Sequence, residues 1–120
     1  MTKVMIVDDT PFMRAVLRNI VEEAGYSVVE ASNGTEAVSL YSREKPDVVT
    51  MDIVMPELDG IEAARIILES DPSAKIIMVT AMDSRDSLKE AIKIGVCDFI
   101  VKPFKAEEVV DSISRAVSGV

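Results

Sequence analysis

Residues 3–11 read KVMIVDDTP, and this stretch decides how the chain folds. The four apolar residues Val4 to Val7 are typical of a strand that is covered on both faces of a parallel sheet. Two aspartates end the run. Thr10 is expected to cap a helix that begins at Pro11, where the missing N–H of proline costs nothing. The stretch therefore predicts a strand that leads through an acidic turn into a helix.

The same strand-then-helix pattern occurs five times along the chain. The predicted strands are residues 3–7, 27–31, 47–51, 75–79 and 98–101, and an amphipathic helix follows each one. The fourth helix, for example, is predicted from Ser84, Leu88, Ala91 and Ile92. Glu30 lies in the second strand, which indicates a less buried position at an edge of the sheet.

Strict alternation implies a parallel sheet with right-handed crossovers and helices on both faces. We therefore predict one α/β domain over residues 1–120: a (βα)5 doubly wound, five-stranded parallel sheet. With the second strand at an edge, the predicted strand order is the flavodoxin-like 2-1-3-4-5, and the chain path reverses between strands 1 and 3.

The composition excludes several classes of function. The 120 residues include 13 basic and 21 acidic side chains, a net charge of −8, so neither nucleic acid nor a membrane surface is an expected partner. The chain has no histidine, which excludes histidine-based catalysis, ordinary zinc sites and a phosphohistidine on this chain. No apolar run is long enough for a signal or membrane segment, so we expect a cytoplasmic protein. Cys97 is the only cysteine and is expected to be a small buried residue.

Polar side chains follow the predicted strands that meet at the switch point of the sheet. Asp8 and Asp9 follow strand 1, Asp52 follows strand 3, Thr80 follows strand 4 and Lys102 follows strand 5. In open parallel sheets, ligands bind beyond the carboxyl ends of the strands at this point. A single aspartate in a loop is usually a turn former, and Asp9 alone could be one. The set of three converging carboxylates predicts a metal site instead.

Three crowded carboxylates raise one another's pKa unless a cation joins them. Oxygen ligands without histidine or cysteine suit Mg²⁺, which also binds water and phosphate oxygens. Lys102 adds a positive charge and Thr80 a hydroxyl donor, so the pocket can neutralise a phosphoryl group during transfer. An aspartate there can act as the nucleophile and form an aspartyl phosphate.

Four segments resemble the motifs of two-component receiver domains, in the order of that family and over nearly the whole chain. They are residues 6–9 (IVDD), 51–60 (MDIVMPELDG), 80–81 (TA) and 102–103 (KP). The resemblance implies that Asp52 is the phosphoacceptor and that Thr80 and Lys102 bind the phosphoryl oxygens. It also implies the Mg²⁺ ligands, which are Asp9, Asp52 and the backbone carbonyl of Val54, with Asp8 acting through water.

The resemblance carries further implications for the site. Lys102-Pro103 resembles the cis bond of the family, and Phe99 lies where the family has an aromatic switch residue that acts with the threonine, here Thr80. Phe99 could equally be a plain core aromatic. Val54 and Met82 are two residues past the acceptor and the threonine. We hypothesise that these apolar side chains flank the path of the hydrolytic water and slow dephosphorylation; packing in the loops is the alternative.

The resemblance implies a stand-alone response regulator, a signalling switch that catalyses only its own phosphorylation and dephosphorylation. Its expected partners are a histidine kinase as phosphodonor and a downstream protein such as a motor switch component, and we expect a monomer. Phe12-Met13-Arg14 and the single-domain format look most like chemotaxis regulators. A phosphorelay intermediate and a receiver excised from a longer regulator are alternatives in the same class.

Two alternatives belong to other classes. A Mg²⁺-dependent phosphohydrolase also forms an aspartyl phosphate, but its D-x-D pattern is replaced here by adjacent aspartates. A flavodoxin-like mononucleotide carrier has the same fold, but no glycine-rich phosphate loop follows strand 1.

Overall fold

The computed structural model describes residues 1–81 and 85–119, which form alternating strands and helices. The strands are β1 (Lys3–Val7), β2 (Ser27–Ala31), β3 (Val48–Asp52), β4 (Ile76–Ala81) and β5 (Asp98–Lys102). The helices are α1 (Pro11–Glu23), α2 (Gly34–Glu44), α3 (Gly60–Ser70), α4 (Arg85–Ile94) and α5 (Ala106–Ser118). Among the described residues, no helix is long and apolar enough to cross a membrane.

The five strands form one parallel sheet in the order β2-β1-β3-β4-β5, which confirms the predicted fold and order. The edge position predicted for the second strand is also correct, since four of the five residues of β2 are only partly buried. β1 and β3 lie side by side, with Val7 paired to Met51. The residues that immediately follow these two partners therefore emerge together at the carboxyl edge of the sheet.

The helices cover both faces of the sheet, as the near-continuous apolar strands require. α1 and α5 cover one face, where Leu17 and Val21 pack with Val109 and Ile113. α2, α3 and α4 cover the other face through small or branched residues such as Ala64 and Ile67. Met5, Met51 and Met78 are fully buried on that second face, so the strand methionines fill the core.

Three predicted strands end too early. Asp52 is the last residue of β3, Thr80 lies within β4, and Lys102 is the last residue of β5. Backbone pairing continues through these polar positions, because Thr80 is paired with Val101 on the neighbouring strand. The hydrogen bonds between strands are made by backbone groups and do not depend on side-chain polarity. The end of an apolar run therefore does not mark the end of a strand.

Cys97 and Ile92 are exposed, although both were expected to be buried. Cys97 lies in the turn before β5; its N–H donates to the carbonyl of Ile76, but its side chain faces solvent beside Lys75 and Asp98. Ile92 is exposed on α4 although Ala91 beside it is buried, because the buried stripe of this helix is too narrow to include both. Ser84, predicted to begin α4, lies outside the described residues.

Candidate functional site

Three carboxylates meet at the carboxyl edge of the sheet. Asp8 and Asp9 follow β1, and Asp52 ends the adjacent β3; one carboxylate oxygen from each lies within 4.8 Å of the others. The predicted convergence of these residues is correct. Asp8 and Asp52 are buried whereas Asp9 is exposed, so the cluster opens to solvent on the side of Asp9.

Lys102 brings the positive charge that the sequence predicts. Its Nζ lies 3.6 Å from Asp8 Oδ2 and 3.5 Å from Asp52 Oδ1. β4 separates β5 from β3, so the long lysine side chain reaches across a strand to the carboxylates. The peptide bond between Lys102 and Pro103 is cis, as the resemblance implies.

Asp8 is held firmly on one side and left open on the other. Its Oδ1 accepts hydrogen bonds from Thr10 N at 2.8 Å and Thr10 Oγ1 at 2.6 Å. Thr10 is the N-cap residue of α1, but its hydroxyl accepts no hydrogen bond from the helix N–H groups and donates to the charged carboxylate of Asp8. Asp8 Oδ2 is buried, and no donor among the described residues lies within hydrogen-bond distance of it; the Lys102 ammonium is 3.6 Å away. A buried anionic oxygen without a donor is costly, and a bound cation would stabilise it.

Asp52 is only 8% exposed. Burial raises the pKa of its carboxyl group to about 6; Lys102 opposes this increase, while Asp8 and Asp9 add to it. The clustered oxygens, the open oxygen of Asp8 and the raised pKa of Asp52 all fit a divalent cation. Because every side-chain ligand is a carboxylate, the donor set suits Mg²⁺.

The loop after Asp52 is held against the end of β3. Gly60 N donates to the carbonyl of Ile53 at 2.8 Å, and Asp59 Oδ1 caps α3 by accepting from Glu62 N at 2.9 Å. A Cβ atom at Gly60 would lie 1.9 Å from the carbonyl oxygen of Asp52, so only glycine fits. Val54 lies in this loop, and its side chain is 71% exposed.

The two proposed switch residues differ in burial. Thr80 is buried, and its hydroxyl donates to the carbonyl of Ala81 at 3.2 Å. Phe99 is 42% exposed, so the alternative of a plain core aromatic is wrong. Side chains alternate along β5, which buries Ile100 and turns Phe99 to the opposite face at the edge of the sheet. Met82, the second predicted residue on the path of the hydrolytic water, lies outside the described residues.

The contact of Arg14 with the site, made through the backbone, was not predicted from the sequence. Its Nη1 donates to the carbonyl oxygen of Asp8 at 2.6 Å, and its Nε donates to Glu30 Oε1 at 3.2 Å. The available signal was Glu30, a charged residue in a predicted strand, together with an arginine beside the buried stripe of the first helix. Only the tertiary structure brings the two together with Asp8.

Comparison with known proteins gives a consistent result. The family model of the response regulator receiver domain matches residues 4–114. The chain is 51% identical over 117 residues to the chemotaxis protein CheY of Listeria monocytogenes, covering 97% of this chain and 98% of that protein. It is 52% identical over 114 residues to CheY of Thermotoga maritima, covering 94% and 95%. A crystal structure of a response regulator receiver domain protein from Clostridium thermocellum is similar with a TM-score of 0.95 at 26% identity, covering 99% of this chain and 96% of that one.

Proposed function

The chain belongs to the response regulator receiver domain family, and from that premise we propose that it is a stand-alone switch phosphorylated on Asp52 by a histidine kinase. Family membership makes it a signalling switch rather than a classical enzyme, and its CheY relatives support chemotaxis-type signalling. The observation that carries the assignment to Asp52 is its place at the centre of the site. It ends β3, lies in the carboxylate cluster and faces Lys102 at 3.5 Å.

Mg²⁺ would be held by Asp9, Asp52 and the backbone carbonyl of Val54, with Asp8 acting through water. The open Asp8 Oδ2 and the three clustered carboxylate oxygens support this arrangement. When bound, the ion supplies positive charge that offsets the carboxylates and the equatorial phosphoryl oxygens.

Asp52 would act as the nucleophile. One of its carboxylate oxygens forms a bond to phosphorus while the phosphorus–nitrogen bond to the kinase histidine breaks, and the ring, already protonated on its other nitrogen, leaves as neutral imidazole. Lys102 already lies beside Asp52 Oδ1 and would pair with a phosphoryl oxygen. The hydroxyl of Thr80, which now donates to the carbonyl of Ala81, would turn to donate to a second oxygen.

Dephosphorylation would be the hydrolysis of the aspartyl phosphate by water. A water oxygen forms a bond to phosphorus, the bond to the Asp52 oxygen breaks, and phosphate leaves. We propose that Val54 and Met82 lower the occupancy of this water because neither side chain can hydrogen-bond to it. The exposed position of the Val54 side chain, in the loop directly after Asp52, supports its part in the proposal.

The output would come from Thr80 and Phe99. Movement of Thr80 toward the phosphoryl group frees space near the end of β4, and Phe99 on the paired β5 would turn inward to fill it. The partial exposure of Phe99 supports this, because a side chain that is already exposed can gain burial by moving.

The family and the CheY relatives imply a histidine kinase and a downstream target. We propose that the target is a protein such as a motor switch component and that the chain acts as a cytoplasmic monomer comprising one domain, residues 1–120. A role as a phosphorelay intermediate would use the same site, with a second histidine-containing protein as the acceptor.

The experiment is phosphorylation with acetyl phosphate and Mg²⁺, followed by measurement of the intact mass. The wild type is expected to gain one phosphoryl group, and Asp52→Asn none. Equal gain by the Asp52→Asn variant would refute the proposed acceptor. Continuous turnover of a small phosphate ester such as p-nitrophenyl phosphate would instead indicate a phosphohydrolase.

A further inference from the structure

Arg14 joins the carboxylate site to the edge strand of the sheet. The side chain of this α1 residue is only 18% exposed. Its Nη1 donates to the carbonyl oxygen of Asp8 at 2.6 Å, and its Nε donates to Glu30 Oε1 on β2 at 3.2 Å. One planar guanidinium group thus makes two hydrogen bonds with a fixed angle between them.

The carbonyl that Arg14 binds belongs to the peptide that joins Asp8 to Asp9. The Asp8 side is already fixed, because Asp8 N donates to Ala31 O at 3.2 Å and its carboxylate accepts from Thr10. Asp9 is exposed, and its carboxylate has no hydrogen-bond partner within the described part of the chain. The backbone sets where the Asp9 side chain starts and which rotamers it can adopt, and Arg14 holds that backbone at the preceding carbonyl.

Glu30 holds Arg14 in turn. It lies opposite Ile6 in the β1–β2 register, and its second oxygen accepts from Arg18 Nη1. The charge of Arg14 is paired with Glu30, so Arg14 contributes to the site through geometry rather than as a free cation. This also gives a role to the one charged residue of β2, which the apolar pattern leaves unexplained.

We propose that Arg14, held by Glu30, is a positioning residue that fixes the Asp8–Asp9 peptide and so aims the Asp9 carboxylate for binding of a divalent cation. The inference rests on the proposed function, since it concerns the affinity of the same site for Mg²⁺. Removing a hydrogen-bond partner of a metal ligand commonly lowers the affinity for the metal by roughly 10-fold or more.

The test is the Mg²⁺ dissociation constant, measured by isothermal titration calorimetry on the full chain. Arg14→Met is expected to weaken binding about tenfold, and Glu30→Gln to weaken it less, about threefold, because Arg14 stays near its place. Arg65→Met is the matched control: Arg65 on α3 also pairs with two carboxylates, those of Glu62 and Glu90, each at 2.8 Å, but it lies away from the site. The Mg²⁺ affinity of the Arg65→Met variant is expected to equal that of the wild type.

Urea unfolding in EDTA separates positioning from general stability. A merely structural role for Arg14 would lower the free energy of unfolding and leave the dissociation constant unchanged, and that result would overturn the inference. If Arg14→Met does not fold, the near-isosteric Glu30→Gln decides, and wild-type affinity in that variant would overturn the inference as well. Absence of Mg²⁺ binding by the wild type would refute the metal site itself and the inference with it.

Discussion

The charged side chains at the two ends of the parallel sheet are arranged in opposite ways. At the amino end, Lys3 Nζ pairs with Glu44 Oε1 at 3.0 Å, and Lys3 N donates to Asp47 Oδ2 at 2.8 Å. At the carboxyl end, three carboxylates lie within 4.8 Å of one another with one lysine beside them, and one buried oxygen of Asp8 has no hydrogen-bond donor in the described part of the chain. The amino end pairs its charges, whereas the carboxyl end gathers three carboxylates around one lysine.

This difference separates residues that support the fold from residues that serve a ligand. A fold that only maximised stability would not keep an ionisable group at Asp52, where burial raises the pKa to about 6. Such a cost persists where the group has a function.

The largest expected effect is loss of phosphorylation on removal of the exposed ligand. Asp9→Ala should abolish Mg²⁺-dependent labelling by acetyl phosphate, because the cation would lose a direct carboxylate ligand. Asp47→Ala removes an aspartate at the amino end and should label like the wild type. The measurement is the rate of mass gain at saturating Mg²⁺. Undiminished labelling of Asp9→Ala, or of the wild type in EDTA, would contradict the metal site.

Glycine substitutions should differ between the ends in the same way. Gly60→Ala should lower the free energy of unfolding by about 3 kcal/mol or more, because its Cβ would lie 1.9 Å from the Asp52 carbonyl oxygen. Gly25→Ala, in the turn between α1 and β2, meets no atom within 4 Å but has a φ of +95°, so it should cost about 1–2 kcal/mol. Only Gly60→Ala should also slow labelling of Asp52. Equal labelling rates for the two variants would argue against a site that depends on this close contact.

Removing the charge of Asp52 should stabilise the protein. The pKa of this carboxyl group is about 6 in the folded state and 3.8 as the ordinary value, so the folded state keeps a proton that the unfolded state releases. Stability therefore falls as the pH rises from about 4 to 6, by roughly 3 kcal/mol at most. In Mg²⁺-free buffer at pH 7.5, Asp52→Asn should be more stable than the wild type by about 2–3 kcal/mol, with a smaller difference near pH 4. Urea unfolding at both values checks this, and a less stable variant at pH 7.5 would refute it.

The smallest expected effect is at the amino end. Lys3→Met removes a partly exposed ion pair with Glu44 and should lower the free energy of unfolding by about 0–1 kcal/mol. Labelling by acetyl phosphate should be unchanged. A loss of several kcal/mol would show that the amino end also depends strongly on its charges, and the contrast between the two ends would fail.

Much of this architecture could be predicted from the sequence. The alternation of strands and helices predicted the fold, the edge position indicated by Glu30 predicted the strand order, and the polar residues after the strands predicted the cluster of Asp8, Asp9 and Asp52. These features follow from local patterns and from the rule that parallel strands end at one edge. The apolar runs gave incorrect ends for β3, β4 and β5, because backbone pairing with a neighbouring strand continues beyond the apolar residues.

Features that depend on tertiary contacts could not be predicted. Cys97 has apolar neighbours in the sequence, yet it lies in the loop before β5 and is exposed to solvent. Arg14 and Glu30 are sixteen residues apart and meet only when α1 packs beside β2. Thr10 has the position of a helix cap, but its hydroxyl donates to the buried carboxylate of Asp8 and accepts no hydrogen bond from the N–H groups of the helix.

The central claim is that the carboxyl end of the sheet forms a phosphoryl acceptor site on Asp52. The most direct measurement is to phosphorylate the wild type with Mg²⁺ and acetyl phosphate, reduce the aspartyl phosphate with borohydride, and locate the resulting homoserine by tandem mass spectrometry. Homoserine is expected at residue 52 and at neither Asp8 nor Asp9. Homoserine at Asp8 or Asp9, or none at any aspartate after the intact mass has increased, would contradict the account.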